Sequence, residues 1–215
     1  MKSVFAYGAL VASGGLLLLA VVASAQNAAE PQAQVSSSWR VPAANAAHGA
    51  ELAQTCLTCH GTNGTPTDPP APKLHRQRAS YIYVALLEYR DGARRSELME
   101  PFAKALSDQD ARDVAAYLAG ELLDVPPKAR ADLAIHERTN RDCTWCHGET
   151  GIGELEGMPV LTGQDPAYLR HALSAYREGS RGSPIMRSVV RDIPPGEDKA
   201  LAEYYAAHDW LERNQ

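Results

Sequence analysis

Apolar side chains recur at helical spacing in several stretches of this chain of 215 residues. Tyr168, Leu169, Ala172, Leu173 and Tyr176 share one face of a helix, with Asp165 as its cap, Pro166 at its first position and Gly179 just beyond its end. The stretch from Ser80 to Gly92 repeats that signature earlier in the chain. Ser107-Asp108-Gln109-Asp110 then opens another helix with a capping-box pattern, running through Leu118. Helices are also expected to lead into two cysteine clusters, from about Ala43 and about Ala129. The expected fold class is all-α.

These elements occur twice. The clusters Cys56-Leu57-Thr58-Cys59-His60 and Cys143-Thr144-Trp145-Cys146-His147 lie 87 residues apart. One ungapped shift of that length also brings Gly61, Pro72, Leu74, Gln77 and Tyr81 onto Gly148, Pro159, Leu161, Gln164 and Tyr168. Tyr89, Arg90, Gly92, Arg94, Ser96 and Met99 fall on Tyr176, Arg177, Gly179, Arg181, Ser183 and Met186. The register persists to Ala115, Tyr117 and Ala119 against Ala202, Tyr204 and Ala206. The chain therefore holds two copies of one small domain. Their expected bounds are 44–122 and 131–215, joined by a linker at 123–130 in which Pro126 and Pro127 interrupt helix. Residues 26–43, rich in Ala, Gln and Ser, read as a flexible leader.

Composition narrows the picture. Aromatic residues are 7%, with 16 Gly and 14 Pro, which suits small helical domains joined by loops better than a β-sandwich. Domains of this size usually need a staple beyond their apolar core. The formal charge of -5 and the lack of a basic run with interleaved aromatics argue against a nucleic-acid partner. At the N-terminus, Met1-Lys2-Ser3 precedes an uncharged stretch from Val4 to Ala25 ending in Ala23-Ser24-Ala25. That order reads as a secretory signal at 1–25 cleaved before Gln26, with an uncleaved membrane anchor as the alternative.

In an exported chain, Cys-x-x-Cys-His is a c-type haem attachment signal. Cys56, Cys59, Cys143 and Cys146 supply thioethers, and His60 and His147 become iron ligands. A disulfide, a shared zinc site or a redox Cys-x-x-Cys are the competing readings. A disulfide does not call for a histidine after each pair, and zinc requires the two motifs to converge on one ion. For the opposite face of each iron, Met99 and Met186 are the candidates, each 39 residues beyond its histidine. Met158 is the rival for the second iron, but its counterpart in the first copy is Ala71. Arg90 and Arg177, with Arg94 and Arg181, are candidates to face haem propionates, since guanidinium pairs well with carboxylate. Solvated helix ends account for them almost as well.

Two such copies in tandem resemble the dihaem cytochrome c4 family. The resemblance rests on Cys-x-x-Cys-His, Pro-x-Leu, a Tyr-containing helix, Tyr-Arg-x-Gly-x-Arg, Met and a last helix with Tyr, over roughly residues 44–210. It implies two class I-like cytochrome c domains, each wrapped around one covalently bound haem c. It implies that the carbonyls of Pro72 and Pro159, each 12 residues after its histidine, accept a hydrogen bond from the imidazole. His75-Arg76 stands where the second copy has the family's Thr162-Gly163. The function implied is periplasmic electron transfer, soluble or membrane-associated, between redox partners such as a membrane-bound dehydrogenase and a terminal oxidase. A closely similar architecture serves as the cytochrome subunit of flavocytochrome c sulfide dehydrogenase, which is the alternative.

Overall fold

In the computed structural model, residues 41–62, 66, 71–120, 143–153 and 157–208 are described. The N-terminal segment, the leader, the linker and the helix expected from Ala129 lie outside them. The first copy comprises α1 (Ala46–Leu52), α2 (Gln54–His60), α3 (Ala79–Asp91), α4 (Met99–Lys104) and α5 (Asp108–Ala119). In the second copy residues 143–147 are helical, followed by α6 (Pro166–Glu178), α7 (Pro184–Arg191) and α8 (Glu197–Ala206). Among the described residues no helix is long and apolar enough to cross a membrane.

Local signals set most helix ends. Ser107 and Asp110 form the reciprocal capping box of α5. Asp165 accepts from the Tyr168 N–H at the start of α6, and Gly92 and Gly179 end α3 and α6 in the left-handed conformation. The first helix starts later than expected. Ala43 is left-handed at φ 58°, and Asn45 caps α1 by accepting from the N–H groups of Ala47 and His48. The turn where His75-Arg76 replaces Thr162-Gly163 keeps the same shape in both copies. Arg76 and Gly163 share φ 64°, and each donates its N–H to the closing helix, Arg76 to Ala119 at 2.9 Å and Gly163 to Tyr205 at 3.0 Å. Left-handed geometry costs a side-chain-bearing residue about 1–2 kcal/mol, which Arg76 bears and Gly163 avoids.

The first core packs Ile82 and Leu86 of α3 against Val114, Ala115 and Leu118 of α5. The second gathers Leu169 of α6 and Ala202 and Tyr205 of α8. The described residues of both copies fall in one compact unit, and their contact is reciprocal. Gln77 exchanges two hydrogen bonds with the backbone of Val160 at 3.0 and 2.9 Å. Its counterpart Gln164 does the same with Lys73, the counterpart of Val160, at 2.9 Å each. Arg95 N–H donates to Ser180 O and Gly182 N–H to Ala93 O, each at 2.7 Å, framing an antiparallel bridge between Arg94 and Arg181. Residues equivalent by the repeat thus bond to each other's neighbours across an approximate two-fold axis.

One buried polar cluster ties α1 to α5. Asp113 Oδ2 lies 2.8 Å from His48 Nδ1, and Asp113 Oδ1 accepts from Asn45 N–H at 2.7 Å and Gln109 Nε2 at 2.8 Å. The hydrogen bond to Asp113, with the nearby charges of Asp110 and Glu51, holds His48 above its ordinary value of 6.5. The Asn45 N–H and then His48 hold Asp113 below its ordinary 3.8. The His48 contribution to stability is present below pH 6.5 and lost as pH rises through its raised folded value. The Asp113 contribution is present above 3.8 and lost as pH falls through its depressed value. Thermal denaturation against pH should therefore fall on both flanks for the first copy. His48→Ala should flatten the alkaline flank and shrink the acidic one to the part that the Asn45 N–H and Gln109 still support.

Candidate cofactor sites

One continuous, predominantly apolar cavity runs through both copies. Its wall includes Cys56, His60 and Met99 from the first copy, and Cys143, Cys146, His147 and Met186 from the second. Cys59 is exposed and stands outside that lining. Among the described residues no disulfide joins the four cysteines. No group of three or more His, Cys, Asp or Glu side chains there is arranged to hold a metal ion, so the two motifs do not converge into a zinc site.

Both histidines end a helix that carries their own cysteine pair, which brings Cys56 and His60, and Cys143, Cys146 and His147, to the cavity wall. His60 and His147 are buried. Burial lowers the pKa of each, opposed by the carbonyl of Pro72 or Pro159. A neutral ring is the form that ligates iron. His60 Nδ1 lies 3.0 Å from Pro72 O, which makes Nδ1 the donor and leaves the lone pair on Nε2. His147 Nδ1 is buried without a partner in full hydrogen-bond geometry, although the Pro159 carbonyl still favours its protonated form.

The methionines are presented by matched serines. Ser96 Oγ accepts from the Met99 N–H and Ser183 Oγ from the Met186 N–H, each at 3.2 Å. In the second copy this is the N-cap of α7. Met158 also lines the cavity, while its carbonyl accepts from Arg78 Nη1 at 2.8 Å.

The four arginines divide. Arg90 turns to Asp108 and Asp91, at 2.8 and 3.2 Å, on the surface. Arg177 lies 3.4 Å from the Val190 carbonyl. Neither lines the cavity. Arg94 and Arg181 do, and both are buried. Each stacks on the tyrosine of its own copy, Tyr89 or Tyr176, with 4.5 Å to the ring centroid. Each also donates to a tyrosine hydroxyl of the other copy, Arg94 to Tyr168 at 3.0 Å and Arg181 to Tyr81. Arg181 Nε is buried with no hydrogen-bond partner among the described residues. Two buried guanidinium groups against an apolar cavity, beside paired Cys-His motifs, fit an apolar macrocycle that carries carboxylates.

Residues 46–120 match the family model described as cytochrome c. The chain is 32% identical to cytochrome c4 of Pseudomonas aeruginosa over 150 residues, covering 63% of this chain and 75% of that protein. The chain belongs to the cytochrome c4 family. It is also 35% identical over 152 residues to the thiosulfate dehydrogenase electron acceptor of Stutzerimonas stutzeri, covering 63% of this chain and 69% of that protein. The crystal structure of reduced recombinant cytochrome c4 from Pseudomonas stutzeri superposes with a TM-score of 0.67 at 31% identity, covering 78% of this chain and all of that one. The protein is accordingly a dihaem c-type electron carrier.

Gln77, Gln164, Tyr81, Tyr168, Ser96 and Ser183 stand beside the expected cysteines, histidines, methionines and prolines without a role that their local sequence suggests. Their signal was present, since each pair is identical at the 87-residue offset. What they touch belongs largely to the other copy, which no local pattern displays.

Proposed function

We propose that each copy binds one haem c through two thioethers, at Cys56 and Cys59 and at Cys143 and Cys146. His60 with Met99, and His147 with Met186, would ligate the two irons. The observation that carries this reading is the matched appearance of a buried histidine and a serine-presented methionine in each half of one cavity. Haem c bound there supplies one-electron exchange between ferrous and ferric iron. The Pro72 carbonyl orients the His60 ring and strengthens its donor nitrogen. The thioethers of Met99 and Met186 would complete the ligand set and favour the reduced state. Arg94 and Arg181, rather than Arg90 and Arg177, neutralise propionates, and the apolar walls keep water from the iron.

An export signal ending before Gln26 would deliver the chain to the periplasm, where cysteine attachment takes place and electrons enter at one copy and leave at the other. Similarity to a thiosulfate dehydrogenase electron acceptor favours a thiosulfate-oxidising dehydrogenase as the donor over a flavoprotein sulfide dehydrogenase or another respiratory complex. A pyridine haemochrome assay should return two haems per chain, and the reduced spectrum should not change under carbon monoxide. One haem per chain, or carbon monoxide binding by the unmodified protein, overturns the assignment. Oxidised protein mixed with a thiosulfate dehydrogenase and thiosulfate should reduce within the mixing experiment, and failure to do so removes that donor.

A further inference from the structure

The repeat is broken at one buried position. Arg78 aligns with Asp165, and both occupy the N-cap of the long helix, of α3 and α6 respectively. Asp165 does what that position favours and accepts from the Tyr168 N–H at 2.8 Å. Arg78 makes no side-chain cap bond, which forgoes about 1 kcal/mol of helix stability. Its guanidinium instead crosses into the second copy. Nη1 donates to the Met158 carbonyl at 2.8 Å and Nη2 to the Gly153 carbonyl.

Those carbonyls belong to the loop behind His147. A Cβ built on Gly153 would lie 2.2 Å from Cys146 O and 3.2 Å from the His147 Cα, so this loop rests directly on the backbone of the second haem motif. Arg78 is fully buried, and its own N–H donates to Gln77 Oε1 at 3.0 Å, the side chain that also clamps Val160. Burial lowers Arg78 to about 10, so it stays charged at neutral pH. The equivalent residue of the second copy, Asp165, is an acid engaged in its own cap and supplies no such cation to the first.

We propose that Arg78 is a redox-tuning residue acting across the copy boundary: its buried charge disfavours the ferric state of the second haem alone and raises that haem's reduction potential. The inference rests on the haem assignment above. A unit charge at an effective dielectric constant near 20 is worth enough at haem distances to shift the oxidised-to-reduced ratio on the order of tenfold. For a one-electron couple that is about 59 mV.

The test is spectroelectrochemical titration of the holoprotein carrying Arg78→Gln, Arg78→Met or Arg78→Lys, beside wild type. Each wave is assigned in a Met99→His or Met186→His background, in which only the haem losing its sulfur ligand moves. Both neutral variants should make the second haem about tenfold easier to oxidise and leave the first unchanged, and the Lys variant should stay close to wild type. The idea fails if neither neutral variant moves the second wave, if the first wave moves as much, or if Lys lowers the second as far as Gln. A haem count below two in wild type would refute the haem assignment itself, separately from Arg78.

Discussion

Met186→Ala is expected to turn a protein inert to carbon monoxide into one that binds one equivalent per chain, and Met99→Ala to do the same at the other site. Each methionine enters the cavity from a backbone held by a serine, Ser183 or Ser96. Alanine keeps that cap and removes only the thioether. An iron left with His147 or His60 alone has a vacant position that a small ligand can take. The potential of the altered haem should fall sharply, because methionine ligation favours ferrous iron. Replacement by histidine should close the site again to carbon monoxide while keeping the low potential. Met158 offers the internal control. It lines the same cavity, but its counterpart Ala71 carries no donor, so Met158→Leu should leave the oxidised spectrum intact. Carbon monoxide difference spectra check all three, and binding after Met158→Leu would give the second ligand position to Met158 instead.

Gly49→Ala should destabilise the first copy by about 3 kcal/mol, the upper range for overpacking a close contact. Here α1 crosses α5 so tightly that an added Cβ would lie 2.0 Å from Asp113 O and 2.4 Å from Asp113 C. Both atoms are backbone inside a helix, so neither can swing aside as a side chain tip would. The helices must separate, and that separation also strains the Asp113 bonds to His48 and Asn45. Gly92→Ala makes the useful comparison. Gly92 is left-handed at φ 78°, yet nothing lies within 4 Å of its Cβ direction. Its substitution should cost only the backbone term of about 1–2 kcal/mol. Equal melting shifts for the two variants would show that the α1–α5 crossing can relax.

The two proposed haem sites are legible in the chain because their chemistry is written in short range. Two cysteines and a histidine fall within five residues, and the ungapped repeat singled out Met99 and Met186 from the other methionines. Helix ends were legible for the same reason: Asp165, Ser107, Gly92 and Gly179 act on backbone groups a few residues away. The onset of α1 was misjudged by three residues because Ala43 favours helix by propensity, whereas Asn45 carries the oxygen that the first N–H groups require.

The arginines divided for a different reason. Arg90 and Arg94 look alike in sequence, and each has an identical partner at the repeat offset. Asp108, close to Arg90 only after α3 and α5 pack, draws that side chain to the surface. Arg94 is turned into the cavity by Tyr168, which lies 74 residues further along the chain. Repetition likewise announced that there are two haem motifs, but not that Gln77 and Gln164 would clasp opposite backbones or that Arg78 would reach behind His147. Local bonding follows from residue type and spacing, since its partners are close along the chain. The docking of the copies brings together groups from 74 to 100 residues apart, and their pairing energy exists only once both folded surfaces have met.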